Sequence, residues 1–209
     1  MWARFMRERF QAQNPRSLLL RTHIQTAGCT LTHEQPENNI ARVALQALGA
    51  VLAGTQSLHT NSYDEQLSLP SEKAVKIALR TQQIIAHETG VTEWVDPLAG
   101  SYVLERLTDA IEEEAMELIR IIDEMGGMVE AVRQGWPQAQ IREYDTEYRK
   151  KVESGKVAVV GQNTCNDEEA PNPDFSVQEE IQEEQIQALA RVKRERSGDS
   201  VLRALNALR

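Results

Sequence analysis

Apolar residues recur every three or four positions over most of this chain and alternate with polar ones in only two short stretches. Near the start, Trp2, Phe5, Met6 and Phe10 fall at helical spacing with arginines between them, which predicts a short amphipathic helix within residues 1–12. Asn14-Pro15-Arg16-Ser17 is a turn signal. Leu18 to Gln25 predicts a strand that begins apolar on both faces, as in a parallel strand covered from both sides. From Arg21 onward the two-residue period puts Arg21, His23 and Gln25 on one face. A long polar turn containing Gly28 runs to Glu37. From about Asn38 to Ala53, the residues Ile40, Val43, Ala44, Ala47, Leu48 and Val51 make one stripe, and Leu45 and Leu52 lie off it. That pattern predicts a helix covered nearly all round, ended by Gly54. Thr55 to Asn61 is the second strand, with Thr55, Ser57, His59 and Asn61 on one face. Strand, helix, strand is a βαβ unit, which implies parallel strands.

The rest is helical. Ser71 is a candidate N-cap for a helix through Ala74, Ile77, Ala78, Thr81, Ile84 and Ile85, stopped at Gly90. After the loop Asp96–Ser101, Leu107, Ile111, Ala115, Leu118, Ile122 and Met125 step by threes and fours to Gly126-Gly127. Shorter helices are predicted over Met128–Arg133 and from about Pro137 to Glu153, with one short extra strand over Val157–Val160. Cys165 to Pro173 is acidic and proline-bearing and is expected to be mobile. Helices return at about Val177–Arg196 and Ser200–Leu208. The alternation over the first hundred residues is α/β grammar.

Composition narrows the function classes. The chain has 209 residues, 41% hydrophobic and 26% charged, enough for one sizeable domain with an appendage. A net charge of -9 argues against nucleic acid as a partner, because such binding needs a basic footprint. The two cysteines make no disulfide framework and fit a reducing, cytoplasmic setting. No apolar run approaches the roughly 20 residues that span a bilayer, so no membrane partner is expected. The first ten residues have no apolar signal core, and no small-residue cleavage site follows.

Candidate chemistry sits on the two strands. A buried parallel strand normally carries Val, Ile and Leu on its faces; here the faces carry Arg21, His23 and Gln25, and Thr55, Ser57, His59 and Asn61. A buried amide or imidazole without a partner costs on the order of 1–3 kcal/mol. These residues therefore either line a ligand or mark strand ends emerging into solvent. Gly28, just past a strand, permits positive φ or close approach of a flat ligand, or is a plain turn glycine. His23, His59 and Cys29 lack the spacing of a structural zinc site, and no metal is expected. Neither common glycine-rich phosphate loop is present. Ser57 and His59 lack the nucleophile-elbow context of a hydrolase.

The strings RTHIQTAG, QPENNIARVALQAL, GTQSLHTNSYDEQL and VDPLAGSYVLE resemble the large, catalytic subunit of the methylmalonyl-CoA mutase family. The likeness extends more weakly through GGMVEAV and VAVVGQN to the terminal ALARVKRERSGDSVLRALNAL, over nearly the whole chain. The resemblance implies the C-terminal part of a (β/α)8 TIM barrel: about its last two parallel strands with their helices, then a mostly helical tail. It implies adenosylcobalamin as cofactor, an acyl-CoA substrate, and radical isomerisation of (R)-methylmalonyl-CoA to succinyl-CoA. Isobutyryl-CoA or ethylmalonyl-CoA remain alternative substrates within the class. Position by position, Gly28, Glu65 and Ser68 match corrin-contacting positions, and Ser68 departs from an alanine expected in some members. Asn61 and Glu65 match positions near the adenosyl ribose. His23, Gln25 and Gln56 match positions near the substrate thioester and pantetheine.

The same resemblance divides the chain into barrel strands and helices at 1–100, a helical extension packed on the barrel at 101–162, and an acidic linker with a helical tail at 163–209. The family's carboxylate-binding arginine, its adenosyl-facing tyrosine, its acid–base histidine and the cobalamin-binding domain map to nothing here. No catalytic residue is therefore assigned. Two partners are implied: a cobalamin-binding subunit or domain, and a chain carrying the N-terminal part of the barrel. Without them the segment is expected to be inactive. A non-catalytic assembly or scaffold module is the alternative, with the tail stripes Ile181, Ile186, Leu189, Val192 and Leu202, Leu205, Leu208 as the contact.

Overall fold

The structure, a computed structural model, describes residues 1–166 and 179–208. The chain divides into two compact units, Met1–Pro171 and Asn172–Arg209. In the first, helix α1 (Trp2–Glu8) leads into a 3-10 turn over Pro15–Leu18, which Asn14 caps by accepting from the Arg16 N–H. Strand β1 (His23–Gln25), helix α2 (Asn38–Leu52), strand β2 (Ser57–His59) and helix α3 (Glu72–Glu88) follow. Beyond them come α4 (Tyr102–Glu124), α5 (Met128–Arg133) and α6 (Trp136–Glu153). The two strands pair in parallel, with His23 opposite Ser57, Ile24 opposite Leu58 and Gln25 opposite His59. The βαβ unit read from the pattern is present.

Both strands are shorter than the pattern suggests. Leu18 belongs to the 3-10 turn, and Leu19 and Leu20 are 64% and 53% exposed. A strand forms only where a partner offers hydrogen bonds. The ladder with β2 runs from Gln56 N–H donating to Thr22 O (3.2 Å) to Thr26 N–H donating to His59 O (3.0 Å), and no further. Val157–Val160 likewise forms no strand. It makes a single bridge between Val160 and Thr164, and the Asn163 side chain satisfies Val152 O, Val157 O and Val159 N–H.

The core lies between α2 and α3. The buried face of α2 is Asn39, Val43, Ala47 and Ala50, and that of α3 is Ala74, Ala78, Thr81 and Ile85. Small residues on both faces let the helices approach closely. The expectation of a helix covered all round fails at Leu45, which is 72% exposed. Ser71 caps α3 as read, accepting from the Ala74 N–H, and Gly90 ends it at φ 72°. Thr60 Oγ1 donates to Ala78 O (2.8 Å), and Gln82 Nε2 donates to Thr60 Oγ1 (3.0 Å); these bonds hold α3 against the end of β2.

Helix α4 has the expected stripe, but Leu107, Ile111 and Leu118 on it are about half exposed. Arg9 donates to both carboxylate oxygens of Asp123 (2.7 and 2.9 Å) and Arg4 pairs with Glu112, so α1 lies along α4. Among the described residues no helix is long and apolar enough to cross a membrane. In the second unit, α7 (Glu179–Glu195) and α8 (Gly198–Ala207) fall close to the predicted tail helices. The expected mobile stretch and the start of the first tail helix lie largely outside the described residues.

Candidate functional site

The carboxyl end of the two strands gathers most of the candidate residues. β1 ends at Gln25 and β2 at His59. The loops that follow bring Gly28 from one strand against Asn61 and Glu65 from the other. A Cβ placed on Gly28 would lie 2.9 Å from Asn61 Nδ2 and 3.3 Å from Glu65 Oε1. Gly28 does not adopt a left-handed backbone, so lack of space rather than φ makes glycine necessary there. It starts a 3-10 turn, Gly28–Thr30, and its carbonyl accepts from Gln66 Nε2 (2.7 Å), a direct tie between the loops.

Asn61 is 1% exposed. Its backbone N–H donates to Thr26 Oγ1 (2.9 Å) and its Oδ1 accepts from Gln25 Nε2 (2.9 Å). Its Nδ2 is buried without a hydrogen-bond partner. Buried amide groups are nearly always satisfied. A donor held this firmly by its other atoms and left unpaired is suited to donate to a ligand oxygen. Glu65 is exposed. Asp64 is buried, with Oδ2 accepting from the Ser71 N–H (2.9 Å) and Oδ1 unpaired. Ser68 turns its hydroxyl to Leu69 O (2.9 Å), and its N–H donates to Asp64 O (3.2 Å).

His23 and Ser57 sit opposite each other on the open sheet face, Nδ1 to Oγ 2.7 Å. His23, Gln25, Ser57 and His59 are all exposed on this chain. Gln56 lies at the other end of the ladder. Its Oε1 accepts from Thr22 N–H (2.7 Å) and its Nε2 donates to Gly54 O (2.7 Å). The structure thus brings Gly28, Asn61, Glu65 and Gln25 together, with Ser68 three residues past Glu65. His23 is at the start of β1, and Gln56 is remote from the cluster.

Pattern reading missed two supporting residues. Thr26 is buried and holds the Asn61 backbone. Asn39 is fully buried in the first turn of α2. It accepts from Thr32 N–H (3.1 Å) and donates through Nδ2 to Thr32 O (2.7 Å) and Tyr63 O (2.8 Å). An asparagine on the otherwise apolar stripe of α2 was the available signal, since buried polar residues need partners.

A parallel strand–helix–strand unit with polar residues converging past the carboxyl ends of its strands is α/β architecture, the class in which that edge is where ligands generally bind. The family model described as methylmalonyl-CoA mutase matches residues 1–209. The 2-hydroxyisobutanoyl-CoA mutase large subunit of Aquincola tertiaricarbonis is 44% identical over 99% of this chain, and methylmalonyl-CoA mutase of Escherichia coli (strain K12) is 43% identical over 95% of it. Mitochondrial methylmalonyl-CoA mutase of Mus musculus is 40% identical over all of it. The chain belongs to the methylmalonyl-CoA mutase family. It spans 37%, 28% and 28% of the lengths of those three relatives.

Proposed function

We propose that this chain supplies the carboxyl-terminal part of the substrate barrel of an adenosylcobalamin-dependent acyl-CoA mutase, acting on (R)-methylmalonyl-CoA to give succinyl-CoA. The unpaired, buried Nδ2 of Asn61 beside Gly28 and Glu65 carries the reading. The donor set fits a nucleoside-bearing cofactor with a flat ring system. Asn61 Nδ2 would donate to a ribose oxygen, the Glu65 carboxylate would accept from a ribose hydroxyl, and Gly28 leaves its surface free of a side chain. Ser68 would offer backbone at the rim. Bound there, adenosylcobalamin supplies the radical chemistry of carbon-skeleton rearrangement.

The residues of this chain bind and orient. Gln25 fixes the Asn61 amide, so the donor is aimed before a ligand arrives and loses little freedom on binding. His23 and Gln25, on the open sheet face, would hydrogen-bond the thioester and pantetheine arm, with Gln56 further toward the amino end. Exclusion of water from that face requires the remaining strands and a cobalamin-binding subunit or domain; the description of one relative as a large subunit fits such a division.

The test is reconstitution with the remaining barrel segments and a cobalamin-binding partner, assayed with methylmalonyl-CoA and 2-hydroxyisobutanoyl-CoA side by side. Turnover of methylmalonyl-CoA is expected. Turnover of the second substrate alone overturns the acyl assignment, and turnover of neither overturns the reading. Glu65→Ala is expected to weaken adenosylcobalamin binding about tenfold or more, the scale of a lost hydrogen bond to a charged group, measured by visible-absorbance titration.

One observation favours a second role, in assembly. Ile181, Ile186, Leu189 and Val192 on α7, and Leu202 and Leu205 on α8, are each more than half exposed on amphipathic helices. An apolar partner surface would cover them. Residues 163–209 alone are expected to pull down a cobalamin-binding subunit without cofactor; no capture argues against a contact role.

A further inference from the structure

Two residues of α2 outside the ligand cluster hold together the loops that carry it. Asn39 contacts both loops at once: Thr32 after β1 through its N–H and carbonyl, and Tyr63 after β2 through its carbonyl. Arg42, one helical turn later, donates Nη1 to Asn39 Oδ1 (2.7 Å) and Thr32 Oγ1 (2.9 Å), and Nη2 to Val160 O (2.6 Å). The Thr32 hydroxyl in turn donates to Glu34 O (2.8 Å). Gln35 Nε2 donates to Cys165 O (3.1 Å), and a Cβ on Gly161 would sit 3.1 Å from Gln35 Oε1. Residues 157–166 are thus strapped onto the loop that contains Gly28.

A planar, fully charged guanidinium meets several acceptors in fixed directions, and a buried amide meets acceptors and donors together; both suit a rigid junction. Neither side chain hydrogen-bonds to Gly28, Asn61 or Glu65. We infer that Asn39 and Arg42 are positioning residues: Asn39 sets the spacing between the loop bearing Gly28 and the loop bearing Asn61 and Glu65, and Arg42 locks the 157–166 strap against the first of them. The consequence for ligand binding rests on the functional reading above; the coupling between loops does not.

The experiment uses the reconstituted protein with Asn39→Leu, Arg42→Met, Arg42→Lys and, as a control, Val43→Ala. Val43 is 2% exposed on the same helix, so its truncation weakens packing without touching either tie. Hydrogen–deuterium exchange is expected to speed up in both 28–34 and 60–68 for Asn39→Leu, and in 28–34 and 157–166 for Arg42→Met. Arg42→Lys, which keeps donors but loses the fork, should recover part of the protection. Adenosylcobalamin affinity is expected to fall about tenfold in Asn39→Leu, as for a buried group left unpaired, while acyl-CoA affinity changes less than about twofold.

Faster exchange in one loop only for Asn39→Leu overturns the inference. So does a Val43→Ala protein that loses cofactor affinity as much as the two variants do, because stability alone would then explain the effect. If the wild-type assembly binds no adenosylcobalamin, the functional reading fails by itself, and the exchange pattern still decides whether the junction couples the loops.

Discussion

A polypeptide of residues 1–209 expressed alone is expected to run as aggregate on size exclusion and to melt without a cooperative transition. Among the described residues its sheet has two strands of three residues each, and neither outer edge has a ladder partner. Two-stranded sheets are marginal in water, and open edges recruit other chains. Buried hydrophobic residues among the described ones number eight, five of them alanine, and alanine contributes little apolar area. Against that small core stand Leu19, Leu20, Trp94, Val95, Tyr102 and Val103, each more than half exposed, with Val95 at 98%. That much exposed apolar surface favours association of a lone chain. Co-expression with the segments that would complete the proposed barrel should convert the aggregate to a defined complex and give a sharp melt. A soluble monomer with a two-state transition would overturn the expectation, because it would mean that the α2–α3 contact and the α1–α4 ion pairs suffice.

The helices were legible in the sequence because their signals are local. The three-and-four stepping from Leu107 to Met125 marked α4; the Ser71 cap and the glycine at 90 act within a turn of the residues they organise. The strands were legible as to place but not length. Leu18–Arg21 has strand composition, yet strand structure depends on a partner that β2 offers only from Thr22 to Thr26. Gly28 stood out in the sequence, but the reason for a glycine there was open. Its φ was undetermined by sequence, and the deciding fact is the nearness of a side chain 33 positions on. The same holds for Thr26 and Asn39. An asparagine in the first turn of a helix reads as local hydrogen-bonding chemistry, and only tertiary distances reveal that it reaches Tyr63. The resemblance grouped Gln56 with His23 and Gln25. On this chain the Gln56 side chain bonds Thr22 N–H and Gly54 O at the amino end of the ladder, a placement that its position in the sequence does not reveal.

Gly28→Ala in the reconstituted protein is expected to weaken adenosylcobalamin binding by at least about tenfold, since displacing a buried, bonded amide costs on the order of 1–3 kcal/mol. The new methyl carbon would lie 2.9 Å from Asn61 Nδ2 and 3.3 Å from Glu65 Oε1. These neighbours differ in how they can respond. Glu65 is exposed and long, so a rotamer change relieves its contact. Asn61 is short, buried and pinned through Oδ1 to Gln25 and through its backbone to Thr26; it can yield only by breaking one of those bonds. The clash therefore falls on the residue whose free donor carries the functional reading. Gly49→Ala separates this from a general effect of filling glycines. Gly49 lies inside α2 with nothing within 4 Å of its Cβ position, and alanine there should stabilise by about 0.5–1 kcal/mol. A double-mutant cycle then isolates the contact. In an Asn61→Ala background Gly28→Ala should cost little further affinity, because the obstructing amide is gone. Additive losses in that cycle would mean that Gly28 acts on the ligand independently of Asn61.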